Sequence, residues 1–173
     1  MIMKHLWRNS AMVACLSLAG WGTWASDVET SLFSKGQSSL SLAACYGSFN
    51  NKDYAVVGVG AGYYLWDGLQ AGLDGEAWLG SKPHLYSVSP GLRYVWSNFG
   101  DYKPYVGGFY KHSFYDTLPN LDSAGGRAGV IMTLSPRTYL SGGLVYEKYF
   151  NCDSTLYGDC SQVYPELGVT VAF

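Results

Sequence analysis

Apolar residues in this chain recur at every second position, run after run, and no stretch collects the roughly 18 consecutive apolar residues that a membrane-spanning helix requires. A period of two is a strand signature, because successive side chains leave an extended backbone on opposite faces. Apolar residues make up 48% of the chain and charged ones 14%, well under the roughly 25% charged of an average soluble domain. Low charge without long apolar runs predicts strands with one apolar face. The length of 173 residues suits one domain.

Eight runs follow one another. Leu40, Leu42, Ala44 and Tyr46 alternate with Ser39, Ser41, Ala43 and Cys45. After Asn50–Asp53, the row Ala55, Val57, Val59, Ala61, Tyr63 and Leu65 opposes Val56, Gly58, Gly60, Gly62 and Tyr64. Trp66-Asp67-Gly68 reads as a tight turn. The third run sets Leu69, Ala71, Leu73, Ala77 and Leu79 against Gln70, Asp74, Glu76 and Trp78. The fourth sets Tyr86, Val88, Leu92, Tyr94 and Trp96 against Ser87, Ser89, Gly91 and Arg93. In the fifth, Pro104–Phe114, aromatics occupy both faces; placing Lys111 inside sends Val106, Tyr110 and His112 outward. A loop over residues 115–123 leads to Ala128, Val130, Met132 and Leu134 against Arg127, Gly129, Ile131 and Thr133. Past the turn at Pro136, Leu140, Leu144 and Tyr146 oppose Ser141, Gly143, Val145 and Glu147. After the longest loop, residues 150–161, the last run has Val163, Leu167, Val169, Val171 and Phe173 on one face and Tyr164, Glu166, Gly168 and Thr170 on the other.

These runs have the roughly 9–11 residues of a tilted membrane strand, and an even count returns the chain to the side it started from. The face bearing Asp74, Glu76, Arg93, Lys111, Arg127, Glu147 and Glu166 is rich in glycine and small residues; the opposite face is aliphatic and aromatic. A soluble barrel puts its apolar face inside. A narrow charged interior with an apolar exterior predicts the reverse: an all-β, eight-stranded antiparallel up-and-down transmembrane β-barrel. Two aromatic girdles are expected, one from Trp66, Tyr94, Trp96, Tyr105 and Tyr139, the other from Tyr46, Tyr86, Tyr110 and Tyr146.

At the N-terminus, Lys4 and Arg8 precede the short apolar stretch Ala11–Gly20, and Thr23-Trp24-Ala25 ends in a small residue. That is the pattern of a cleaved signal peptide, residues 1–25, and ten apolar residues cannot cross roughly 30 Å of hydrocarbon. Residues 26–36 are polar and without periodicity, a short flexible periplasmic leader; residues 37–173 form the barrel. Cleavage leaves Cys45, Cys152 and Cys160 in an oxidising compartment. The seven-residue spacing predicts a Cys152–Cys160 disulfide in the fourth exterior loop, with Cys45 an inward free thiol. No cysteine or histidine cluster has metal spacing, and no cofactor is expected. A net charge of −2 without a basic cluster speaks against nucleic acid.

The sequence closes Pro165-Glu166-Leu167-Gly168-Val169-Thr170-Val171-Ala172-Phe173. This resembles the terminal strand of Gram-negative outer-membrane proteins. With the signal peptide and the eight runs, the chain resembles the small eight-stranded class that includes the OmpA membrane domain and OmpX. The resemblance implies outer-membrane localisation, periplasmic termini, and turns near residues 67, 100 and 136 on the periplasmic side. It also implies that Phe173 is read by the barrel-assembly machinery. No peptidoglycan-binding module of the OmpA kind is seen after the barrel.

Some eight-stranded barrels are lipid A deacylases, which place a His and a Ser two residues apart on the lipid-facing side. Here His112 and Ser113 are adjacent and so point to opposite faces, and position 114 is Phe. No catalytic set is expected, and a lipid-modifying enzyme stands as the weaker alternative. An eight-stranded lumen is just wide enough for side chains to fill, which excludes a general porin and leaves a narrow conduit for very small solutes as a second alternative. The favoured reading is a structural or surface-interaction barrel, monomeric, meeting outer-membrane lipid and lipopolysaccharide through its exterior loops and Lys148. Counted from the Pro136 turn, Thr133 would face Ser141 and Arg127 would face Glu147, with Arg93 diagonal to Asp74 and Lys111 near Glu76 as further struts.

Overall fold

A computed structural model of the chain describes residues 14–15, 32–49, 52–80, 85–116, 119–152 and 160–173, and the side chains of all but 14–15, 44–49, 52–54 and 56. Eight strands follow in order: β1 (Ser38–Phe49), β2 (Lys52–Trp66), β3 (Leu69–Gly80), β4 (Leu85–Val95), β5 (Tyr102–Tyr115), β6 (Leu121–Ser135), β7 (Thr138–Tyr149) and β8 (Ser161–Ala172). Each pairs antiparallel with the next, and β1 pairs with β8, closing the sheet into an up-and-down barrel. Closure runs from Ser39 against Ala172 to Leu42 against Val169. Beyond it, Ser38 and Phe173 exchange backbone bonds in both directions, at 3.1 and 2.9 Å. Farther along β1, Cys45 and Tyr46 pair with Cys15 and Ala14. Residues 1–13 and 16–25 of the stretch expected to be a signal peptide, and the Cys45 thiol, lie outside the described residues.

One end of the barrel carries tight connections at Asp67–Gly68, residues 96–101 and Pro136–Arg137; the other carries the connections at 50–51, 81–84, 116–120 and 150–160. These are the turn end and the loop end. At Asp67–Gly68 the backbone reverses through Gly68 at φ +80°, where a Cβ would collide with the Val95 carbonyl. Only glycine takes that position without strain.

Side chains alternate as the period of two predicts. Leu42, Leu73, Leu92, Leu144 and Leu167 are exposed on the outer wall, while Ser39, Gln70, Ser89, Lys111, Ser123, Ser141 and Glu147 are buried inside. Strand β5 faces as expected, with Lys111 in and Val106 and Tyr110 out. The girdles need one correction. Trp66, Tyr94 and Trp96 stand exposed on the wall at the turn end, but Tyr105 and Tyr139 are buried in the lumen. Both have the parity of the inward rows, and parity overrides nearness to a strand end.

The turn end is filled. Phe33, from the leader, is buried in the lumen, edge-on to Tyr64 at 5.9 Å and tilted against Tyr139 at 5.4 Å between ring centres. Val95, Tyr105 and Ile131 complete this apolar cluster. The segment is fixed by backbone bonds from Gly68 N to Phe33 O, Gly36 N to Tyr64 O and Tyr64 N to Gln37 O. Lys35 N donates to Asp67 Oδ1 at 2.8 Å, so the β2–β3 turn clasps the leader. Residues 32–37 are therefore a docked plug rather than a free tether.

Candidate functional site: the lumen

Above the plug the interior is polar and arranged in two clusters. The first centres on Arg127, whose Nη1 lies 3.6 Å from Asp74 Oδ2 and 3.5 Å from Glu166 Oε2. Tyr105 Oη donates to Glu166 Oε1 at 2.5 Å. The guanidinium of Arg93 lies over the Tyr105 ring at 5.1 Å, and that of Arg127 over Phe109 at 4.8 Å, adding cation–π attraction where water is scarce.

The second cluster, nearer the loop end, centres on Glu147, which is fully buried. A buried carboxylate persists only when donors surround it. Here Ser123 Oγ donates at 2.6 Å, Tyr164 Oη at 3.0 Å, and Lys111 Nζ and Gln162 Nε2 at 3.4 Å each. Lys111 also bridges to Glu76 at 3.5 Å, and Glu76 accepts from Ser87 Oγ at 3.3 Å.

Glycine makes this crowding possible. A Cβ at Gly60 would run into the Asp74 carboxylate, and one at Gly129 or Gly143 into the Tyr105 hydroxyl. A cavity of about 40 Å³ remains, lined in part by Ser39, Gln70, Asp74, Arg93, Arg127 and Tyr139. That is above the roughly 10–15 Å³ a cavity needs to hold a water.

Asp74, Glu76, Arg93, Lys111, Arg127, Glu147 and Glu166 lie on the inward rows, and all but Arg93 take part in these ion pairs, Lys111 with Glu76 among them. Two pairings differ. Arg127 lies opposite Val145, not Glu147, because the β6–β7 ladder continues down to Ser135 opposite Thr138, with an irregularity after Thr133. That moves the register by two residues, so facing is kept and every partner changes. Arg93 lies opposite Gln70, while Ser89 is opposite Asp74, so Arg93 is not diagonal to that carboxylate and stacks on Tyr105 instead. The predicted disulfide is present: Cys152 and Cys160 are joined, their Cα atoms 5.6 Å apart.

His112 and Ser113 do point to opposite faces, Ser113 being buried inside. The ladder, however, sets Asp122 directly opposite His112, with Oδ1 2.5 Å from Nδ1. Sequence reasoning assigned Asp122 to a loop and missed this pair. Only the hairpin register could have revealed it.

No family model matches the chain, and no curated protein matches it. Solved structures do. The N-terminal β-barrel domain of Pseudomonas aeruginosa OprF superposes with a TM-score of 0.63 at 16% identity, over 80% of this chain and 98% of that one. Neisserial surface protein A (NspA) gives a TM-score of 0.52 at 18% identity, over 79% of this chain and 94% of that one. The chain thus shares the closed eight-stranded antiparallel barrel fold of these two proteins.

Proposed function

We propose that the chain is an integral outer-membrane β-barrel protein with a structural or surface-interaction role, its lumen filled by its own side chains. The observation that carries this reading is the inversion of polarity. Leu42, Leu144 and Val163 are 60, 61 and 65% exposed, while Glu147 is fully buried. Such an apolar wall is far larger than the patches of a few hundred Å² that soluble monomers present, and it suits hydrocarbon. The seven consecutive hairpin ladders, with the shorter β1–β8 seam from Ser39–Ala172 to Leu42–Val169, pair most of the strand backbone without water, which suits a bilayer.

In this reading the turn end faces the periplasm, the loop end faces outward, and Phe173 is read during assembly. The barrel is a monomer that meets lipid and lipopolysaccharide and has no catalytic role. The test is expression in a Gram-negative host, followed by fractionation and gel migration with and without boiling. An outer-membrane band that shifts on boiling is expected, and recovery as a soluble periplasmic protein overturns the reading. Reconstituted in liposomes, the barrel should pass negligible sugar. Rapid uptake would replace the filled barrel with a channel.

A further inference from the structure

The outer wall carries a polar patch. Among the outward strand residues whose side chains are described, His112, Asp122 and Lys148 are the titratable groups other than tyrosine, and all three sit at the loop end of the neighbouring strands β5, β6 and β7. His112 lies opposite Asp122, Tyr110 opposite Ala124, and Ala124 opposite Lys148, so four functional side chains surround one alanine. The Asp122 carboxylate accepts from His112 Nδ1 and from the Tyr110 hydroxyl. The edge of His112 meets Phe114 at 4.5 Å. With Nδ1 engaged, Nε2 is the nitrogen left for a ligand. The His112 and Asp122 side chains are 36 and 41% exposed.

Toward the turn end from this patch the outward residues of β6 are Ala124, Gly126 and Ala128. Tyr110 and Val106 stand beside them on β5, and Tyr146 and Leu144 on β7; all four are exposed. Short side chains between taller ones make a shallow apolar channel that leads away from the polar patch.

We infer that this patch is a binding site for one phosphorylated glycolipid of the outer leaflet, a lipopolysaccharide molecule. The inference rests on the outer-membrane reading above. The Lys148 ammonium suits a phosphate, for charge-assisted bonds to phosphate are the stronger kind, and His112 Nε2, the acceptor nitrogen while Nδ1–H is donated to Asp122, suits a sugar hydroxyl. Asp122 and the Tyr110 oxygen offer further acceptors for sugar hydroxyls, which favours a phosphosugar over a plain phospholipid headgroup. An acyl chain lies over Ala124, Gly126 and Ala128, gaining dispersion contacts against Tyr110 and Tyr146. Interfacial tyrosines alone would anchor the barrel without selecting a lipid.

The test is native mass spectrometry of the full-length barrel released from membranes into detergent, titrated with a purified diphosphorylated glucosamine lipid. Wild type is expected to hold one molecule. Lys148→Ala should weaken binding by about tenfold, as loss of one charge-assisted contact does, and His112→Ala should weaken it less, as loss of one neutral hydrogen bond does. Gly126→Leu should weaken it by filling the channel, while Leu73→Ala on the far wall should leave it unchanged. All variants should still shift on boiling, because none touches the lumen. Equal binding by wild type and the patch variants overturns the site while leaving the barrel intact. Equal competition by phosphatidylglycerol overturns the glycolipid assignment. Loss of membrane fractionation in wild type would instead overturn the outer-membrane reading itself.

Discussion

Glu147 on β7 and Lys111 on β5 meet inside the barrel at 3.4 Å, although β6 separates their strands in the sheet. The same holds for Lys111 with Glu76, and for Arg127 with Asp74 and Glu166: among the described residues, every lumen ion pair skips at least one strand. These contacts cross the interior as struts and tie together strands that the backbone ladder does not.

Removing one partner of such a pair strands a buried charge, which typically costs about 3–5 kcal/mol. Glu147→Ala should therefore destabilise the folded barrel on that scale, and so should Lys111→Ala. The double variant should cost less than the sum, since it leaves neither charge alone. Arg127→Ala combined with Glu147→Ala serves as the contrast, because Arg127 bonds to a different set of carboxylates and the two effects should be closer to additive. Urea unfolding of the detergent-solubilised barrel measures all of these. Strict additivity for Lys111 and Glu147 would remove the strut.

Facing was legible in the sequence because it is local. Once Lys111 is set inside, the period of two settles Tyr110 and His112 without reference to any other strand. Register is not local. The Pro136 turn was read too wide, and two residues of slip turned Arg127 from Val145 to Glu147. Strut partners are more remote again, since neither spacing nor hairpin counting connects β6 to β3 or β8 across a lumen. Phe33 was hidden for another reason: a single aromatic in a polar, aperiodic leader carries no pattern, and its burial depends on Tyr64 and Tyr139 arriving from distant strands.

The plug gives a second prediction. Phe33→Ala empties a site packed by Tyr64, Tyr139 and Lys103, and deleting a buried Phe side chain typically costs about 3–5 kcal/mol. Phe99, at the same end but 63% exposed, is the control, and Phe99→Ala should stay within about 0.5 kcal/mol of wild type. Equal unfolding midpoints for the two variants would show that the leader does not hold the turn end shut.

The disulfide gives a third. Cys152 and Cys160 lie in the connection between β7 and β8, outside the strand ladder. Replacing both by Ser should leave outer-membrane insertion and the gel shift intact while raising protease sensitivity in that loop. Peptide mapping without reduction should recover the two cysteines in one linked fragment. Free alkylation of both in protein from the native envelope would contradict the pairing.

Phe173 separates assembly from stability. Its backbone closes the seam with Ser38, yet its side chain is 63% exposed and supplies little packing to the finished barrel. Phe173→Ala keeps both backbone bonds, so barrels that do insert should unfold at the wild-type denaturant concentration. If the assembly machinery reads the aromatic ring, the yield of inserted protein should nonetheless fall. Ser38→Pro tests the other half, because proline has no N–H to donate to the Phe173 carbonyl and so loses one seam bond. That variant should lower the unfolding midpoint while leaving the aromatic signal untouched. Quantitative blotting of outer-membrane fractions, set beside the urea midpoints, distinguishes the two. Normal yield for Phe173→Ala would show that the ring is not read, and a lowered midpoint would show that it packs in the finished barrel after all.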